Sequence, residues 1–219
     1  MLVLGPFLLL WEPKSYELAR RPDAGIQFGK FFSLFAAMVL FVGVGLAGAS
    51  REMVQVMTAR EYWAAETVIP IVAVSYVLFG LDSIGRVGLL FHHKTKTVLL
   101  VVAAACALNI LGNAVFISIL GMVGAAWATL LTFAFLLVTD LRLSQRHLPI
   151  RFDWKRLGLL VGISIATVAA MRAVRCESLW LAVAIKATIL AGYPVLLLVT
   201  GFFGSRSIGQ LLGKARAAA

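Results

Sequence analysis

The sequence predicts an all-α polytopic membrane protein, a bundle of about six transmembrane helices. Three observations carry that prediction. Of 219 residues, 61% are hydrophobic and 14% charged, where soluble domains run to about 45–50% apolar and about 25% charged. Six apolar runs recur along the chain. A helix rising about 1.5 Å per residue needs about 20 of them to cross a ~30 Å hydrocarbon core, and most of the runs meet that length. The basic residues also gather in alternate loops, as the positive-inside rule requires. A disordered chain and a water-soluble globule are excluded by this composition. Two cysteines are too few for a disulfide scaffold.

Residues 2–11 are apolar but too short to cross. They lack the basic start and small-residue cleavage site of a signal peptide. Met1 leads straight into apolar residues, so 1–30 reads as a helix cut through its middle, followed by a cytoplasmic segment. The bundle is expected over 31–203. Its first span, 31–49, is uncharged, and the second, 67–91, holds Asp82 and Arg86. The third and fourth, 97–117 and 121–139, are uncharged. The fifth, 157–171, is short and ends at Arg172; the sixth, 179–203, contains Lys186. A basic tail, 204–219, follows.

Only a very short uncharged turn, Ser118-Ile119-Leu120-Gly121, parts the third and fourth spans, which predicts a tight helical hairpin. Helices in lipid gain no hydrophobic reward for touching each other, so close packing needs small residues. Gly121/Ala125 and Gly124/Ala128, each four apart, supply them. Pro194, inside the last span, removes the bond to the Leu190 carbonyl and predicts a kink.

The net charge of +10 would suggest nucleic acid in a soluble protein. Here fourteen of the twenty basic residues fall on one side of the six spans, four on the other (Arg51, Arg60, Arg172, Arg175), and Arg86 and Lys186 within spans. That partition places both termini in the cytoplasm, in the inner membrane, with no nucleic-acid partner. It also draws the basic face toward anionic membrane lipids.

Five polar residues inside spans are the candidate site. Asp82 and Arg86, four apart, share a helix face. Charges in a span are costly and face a cavity or a partner, so the pair reads as cavity-lining. The competing reading has Arg86 snorkel to the interface with Asp82 as its neutraliser. Lys186 either snorkels outward or lines the cavity. Asn109 and Asn113 share a face and serve as interhelical glue or as sugar-facing amides. His92-His93 cannot share a helical face, and no acid, thiol or imidazole stands at ligand spacing, so no metal is expected. There is no glycine-rich phosphate loop, HExxH or CxxC, and nothing points to an enzyme or a cofactor. Tyr62-Trp63, Trp154 and Trp180 read as interfacial anchors.

A longer succession of residues carries a resemblance. It runs Tyr62, Ala65, Ile69-Pro70, Phe79-Gly80-Leu81, Lys94-Thr95-Lys96, Leu108-Asn109-Ile110, Asn113, then Gly121-Met122-Val123-Gly124-Ala125-Ala126-Trp127-Ala128-Thr129. Upstream stand Gly5-Pro6-Phe7, Trp11-Glu12-Pro13 and Arg21-Pro22-Asp23-Ala24. This order resembles the C-terminal half of polysaccharide biosynthesis membrane proteins. These are the oligosaccharide-lipid flippases of the multidrug/oligosaccharidyl-lipid/polysaccharide exporter superfamily. The resemblance implies one lobe of a two-lobe exporter with a central cavity of alternating access. The substrate it implies is a polyprenyl-diphosphate-linked oligosaccharide. A missing N-terminal lobe or a second copy of the chain would complete the transporter. Arg86 and Lys186 would supply cations to the diphosphate, and Asn109 and Asn113 amides. Two alternatives stand beside it: an ion-coupled multidrug exporter with Asp82 as the ion carboxylate, and a non-transporting scaffold of polysaccharide assembly.

The layout is directly testable. A cysteine placed in the 142–156 connection should resist membrane-impermeant thiol reagents in intact cells, and one placed at 58–61 should react.

Overall fold

The computed structural model describes residues 4–174, 176 and 178–202. Arg175 and the basic tail 204–219 lie outside the described residues. Among the described residues the chain is helical, with no strand. The elements are α1 (Leu4–Ala19), α2 (Ala24–Gly48), α3 (Ser50–Met57), a 3-10 helix (Arg60–Thr67), α4 (Ile69–Gly85), α5 (Val87–Phe91), α6 (Thr95–Leu120), α7 (Met122–Gln145), α8 (Trp154–Ala173) and α9 (Leu179–Val199). Six helical stretches are long and apolar enough to cross a membrane: α2, α4 continued by α5, α6, α7, α8 and α9. The chain is a multi-pass membrane bundle.

The span boundaries differ from the expected ones for identifiable reasons. α2 starts at Ala24, seven residues before the uncharged run, so Lys30 lies on the helix. α8 extends from Trp154 to Ala173 because Asp153 caps it, its carboxylate accepting from the Arg156 N–H at 3.1 Å. An acidic N-cap satisfies an orphan amide and suits the helix dipole. The fifth span therefore gains full length from charged flanks that a hydropathy run discards. α9 continues as helix through Pro194 and ends at Val199, short of the expected 203. The segment before residue 24 is itself mostly helix, and Trp11 of α1 stacks on Phe31 and meets Phe28 edge-on.

Neighbour relations run in one sequence. α6 packs on α7, α7 on α4, α4 on α2, α2 on α8 and α8 on α9, with α9 returning to touch α2. The two middle spans, α2 and α4–α5, are half buried, whereas only 11% of α6 is. α2 is thus the spine: Phe28, Phe32, Phe35 and Val39 pack toward α4 and the α7–α8 connection. Ala36, Ala37 and Val44 meet Leu160, Met171 and Tyr193 of α8 and α9.

Close approach replaces hydrophobic force as the packing determinant. The expected α6/α7 hairpin is present, with a different assignment of its glycines. Gly121 is the turn residue, at φ +58°, with open space around it. Gly124 is the contact: a Cβ there would lie 2.0 Å from the Phe116 carbonyl oxygen. At the end carrying the basic loops, the α7–α8 connection closes onto α2. The Arg151 N–H donates to the Gly25 carbonyl at 3.0 Å, and a Cβ on Gly29 would lie 2.0 Å from the Arg151 carbonyl oxygen.

Gly124→Ala should lower the thermal midpoint of the purified protein by forcing the hairpin apart, a cost of about 1–3 kcal/mol for an overpacked contact. Gly162→Ala, in open space on α8, should leave the midpoint unchanged or raised. Circular dichroism melts in one detergent decide it.

Candidate functional site at the basic end of the bundle

Asp82 and Arg86 sit where α4 breaks. Arg86 separates α4 from α5 (φ −78°, ψ −4°), and its N–H still reaches the Asp82 carbonyl at 3.0 Å. The start of α5 leaves amides without intrahelical partners. Ser144 of α7 serves one of them, its hydroxyl accepting from the Gly88 N–H at 3.0 Å. α7 thereby locks onto the break, and this brings Asp140 to the same place.

The result is a triad. The Arg86 guanidinium donates to Asp82 and lies 3.5 Å from Asp140 through Nε. Both carboxylates are fully buried, while the arginine side chain stays 21% exposed. Asp140 stands one residue past the uncharged run 121–139, and for that reason the sequence does not single it out. One oxygen of Asp82 and both of Asp140 have no hydrogen-bond partner among the described residues. Two carboxylates on one guanidinium leave the cluster with a surplus negative charge when both are ionised, in surroundings where unpaired charge is costly.

Arg86 also opens onto a cavity of about 420 Å³ between α1 and the α4–α5 turn, lined by Trp11, Ser15, Tyr16, Phe79, Ser83 and Leu90. Tyr76, Phe79, Ser83 and Arg86 recur at helical spacing, so one face of α4 leads to this cavity. Beside that face, α2 exposes Leu34, Met38, Val42 and Leu46 at every fourth residue. An apolar groove of about 410 Å³ lies between α2 and α9, walled by Phe31, Leu34, Phe41, Tyr193 and Pro194. Tyr193 is held by Ser164 of α8, hydroxyl to hydroxyl at 3.0 Å.

The five expected residues do not line one cavity. The Asn109 amide donates to the Thr132 hydroxyl of α7 at 3.1 Å, and Asn113 donates back to the Asn109 side chain at 2.9 Å. The Asn109 amide thus joins α6 to α7, as in the glue reading, and Asn113 supports it from within α6. Lys186 lies at the opposite end of the bundle, 4% exposed. It neither snorkels nor approaches Arg86. It donates to Glu52 at 2.7 Å and to the Gly48 carbonyl at 3.1 Å, and Glu52 is a second residue the sequence reading passed over. His92 accompanies His147, ring centroids 5.4 Å apart. No group of three metal-ligating side chains occurs among the described residues.

Comparison with known family models, with curated proteins and with solved structures finds no match to this chain.

Removing Arg86 strands two buried carboxylates. Arg86→Ala should destabilise the purified protein by about 3–5 kcal/mol. The triple variant Arg86→Ala/Asp82→Asn/Asp140→Asn should recover much of that loss. Equal melting midpoints for the single and triple variants would show that Arg86 does not neutralise the pair.

Proposed function

We propose that this chain is a membrane transporter component that flips polyprenyl-diphosphate-linked oligosaccharide across the cytoplasmic membrane during polysaccharide biosynthesis. The single observation that supports this most is the placement of Arg86. It is a half-buried cation, oriented by two carboxylates, at the mouth of a cavity with a mixed polar and apolar lining. That cavity is at the end of the bundle carrying the basic loops, beside an apolar face. A guanidinium has five N–H donors in a fixed fork, and the carboxylates do not exhaust them. The rest suit the oxygens of a diphosphate, which arginine binds in bidentate fashion. Ser15, Ser83 and Tyr16 bring hydroxyls to the same cavity. The exposed α2 stripe and the α2/α9 groove offer a prenyl tail a path that stays in the hydrocarbon layer.

The order of residues over 62–129 favours the same reading, as one lobe of a two-lobe exporter that a second lobe or a second copy completes. Half-exposure of α2 and α4 fits a lobe with one open face. The cytoplasmic placement of both termini, and of the Arg86 cavity, follows from the basic loops under the positive-inside rule.

One observation favours a second reading, an ion-coupled exporter of the same superfamily. The surplus carboxylate of the Asp82–Arg86–Asp140 cluster is suited to carry a proton or a sodium ion. Lys186 and the two asparagines, engaged elsewhere, no longer belong to the substrate contacts of either reading.

The test is disruption of the coding segment in its source organism. Lipid-linked oligosaccharide should accumulate on the cytoplasmic leaflet while its synthesis continues. Restoring the chain with Arg86→Lys, which keeps the charge and loses the fork, should return export reduced at least about tenfold at equal protein level. Undiminished surface glycan in the disruptant would reject the flippase reading. Export that tracks an imposed proton or sodium gradient, and loses that dependence in Asp140→Asn, would support ion coupling.

A further inference from the structure

The end of the bundle away from the basic loops is organised around a second buried charge cluster that the transport reading leaves unused. α2 stops at Gly48, the chain bends at Ala49, and α3 runs on against α9. The Gly48 carbonyl is one of those a helix end leaves without an intrahelical partner, and Lys186 caps it. The same ammonium closes on Glu52, and both side chains are nearly inaccessible, at 5% and 7%. An ammonium has three N–H donors; two are taken.

α3 buries Ser50, Glu52 and Val54 and exposes Arg51 together with Val56 and Met57, the last two at 53% and 75%. Trp180 at the start of α9 is 73% exposed. Exposed apolar side chains beside an exposed arginine fit a helix at the membrane boundary.

Two spaces meet at the Lys186–Glu52 pair, which lines both. One, of about 320 Å³, is predominantly polar and is lined also by Arg51, Arg172 and Glu66. Neither arginine has an ion-pair partner among the described residues. Among the described residues three cations face two carboxylates there, a surplus of positive charge. The other, also about 320 Å³, is an almost wholly apolar groove along Met53, Met57, Trp180, Val183 and Leu190.

We propose that this end of the protein holds one bilayer phospholipid with an anionic headgroup. Its phosphate sits in the polar space on Arg51 and Arg172, with the third N–H of Lys186 behind it. One acyl chain lies in the groove. A soluble anion would leave the groove unfilled, and a neutral lipid would leave the guanidiniums unmatched. An anionic phospholipid supplies charge and chain on adjacent atoms, and the bilayer delivers it at high concentration. The inference does not depend on what the protein transports.

The experiment uses the full chain in phosphatidylcholine nanodiscs titrated with phosphatidylglycerol bearing brominated acyl chains, which quench nearby tryptophan fluorescence. A saturable quenching component is expected, and Trp180→Phe should abolish it. The double variant Arg51→Gln/Arg172→Gln should weaken binding about tenfold. Arg60→Gln should not, because Arg60 stacks on Trp63 outside the polar space. Both cavity arginines are exposed, so the double variant leaves the core untouched. Equal saturation by brominated diacylglycerol, which lacks the phosphate, would overturn the proposal. Equal weakening by Arg60→Gln would reduce it to general surface charge and overturn it too. Displacement of phosphatidylglycerol by an equimolar polyprenyl phosphate would overturn the assigned occupant.

Discussion

Charge neutralised locally within an apolar slab is the constraint on which the arrangement of this bundle depends. Each ionised group inside the spans must find its counter-charge on a neighbouring element, because neither lipid nor distant water will supply it. Among the described residues there are two such groupings, one near each end of the bundle. Asp82, Arg86 and Asp140 fasten α4 to α7. Lys186 and Glu52 fasten α9 to the α2–α3 corner. α2, the most connected helix, lies between them and carries no charge from Phe31 to Gly48. Its contacts are made by shape: alanines and glycines against α8 and α9, phenylalanines against α4.

The two clusters differ in what they leave over. Lys186 and Glu52 balance, and the helix-end carbonyl of Gly48 takes a further donor. Beside that fastening stand two arginines that form no ion pair among the described residues. The Arg86 cluster is unbalanced within itself, with three carboxylate oxygens lacking hydrogen bonds. A structural fastening has no need of the second carboxylate. The surplus carboxylate gives the basic end an affinity for a proton or a cation that the balanced Lys186–Glu52 pair lacks.

Glu52 and Asp140 show where reading the sequence stopped, and why. Both lie just beyond the end of an uncharged run, where an acidic residue is ordinary and carries no cost until the helix is seen to continue. α7 runs on to Gln145 and draws Asp140 inside the bundle. α2 ends at Gly48 and the following turn folds Glu52 back against α9. The Asn109–Asn113 face was legible as a spacing, but its partner Thr132 could be assigned only once the hairpin register was known.

The order of apolar runs, the small residues of the hairpin and the sidedness of the arginines and lysines were sufficient by themselves for an all-α, six-span layout, because bilayer thickness and the cost of bare backbone in lipid admit few other solutions. Which helices touch was not contained in them. Lipid-facing and helix-facing surfaces are equally apolar, so periodicity cannot separate them, and the surroundings of Arg86 and Lys186 beyond their own spans cannot be read from the sequence. Only the packing of α7 on α4 and of α9 on the α2–α3 corner decided that one is shared between two carboxylates and stays partly exposed, and the other is buried in a matched ion pair with Glu52.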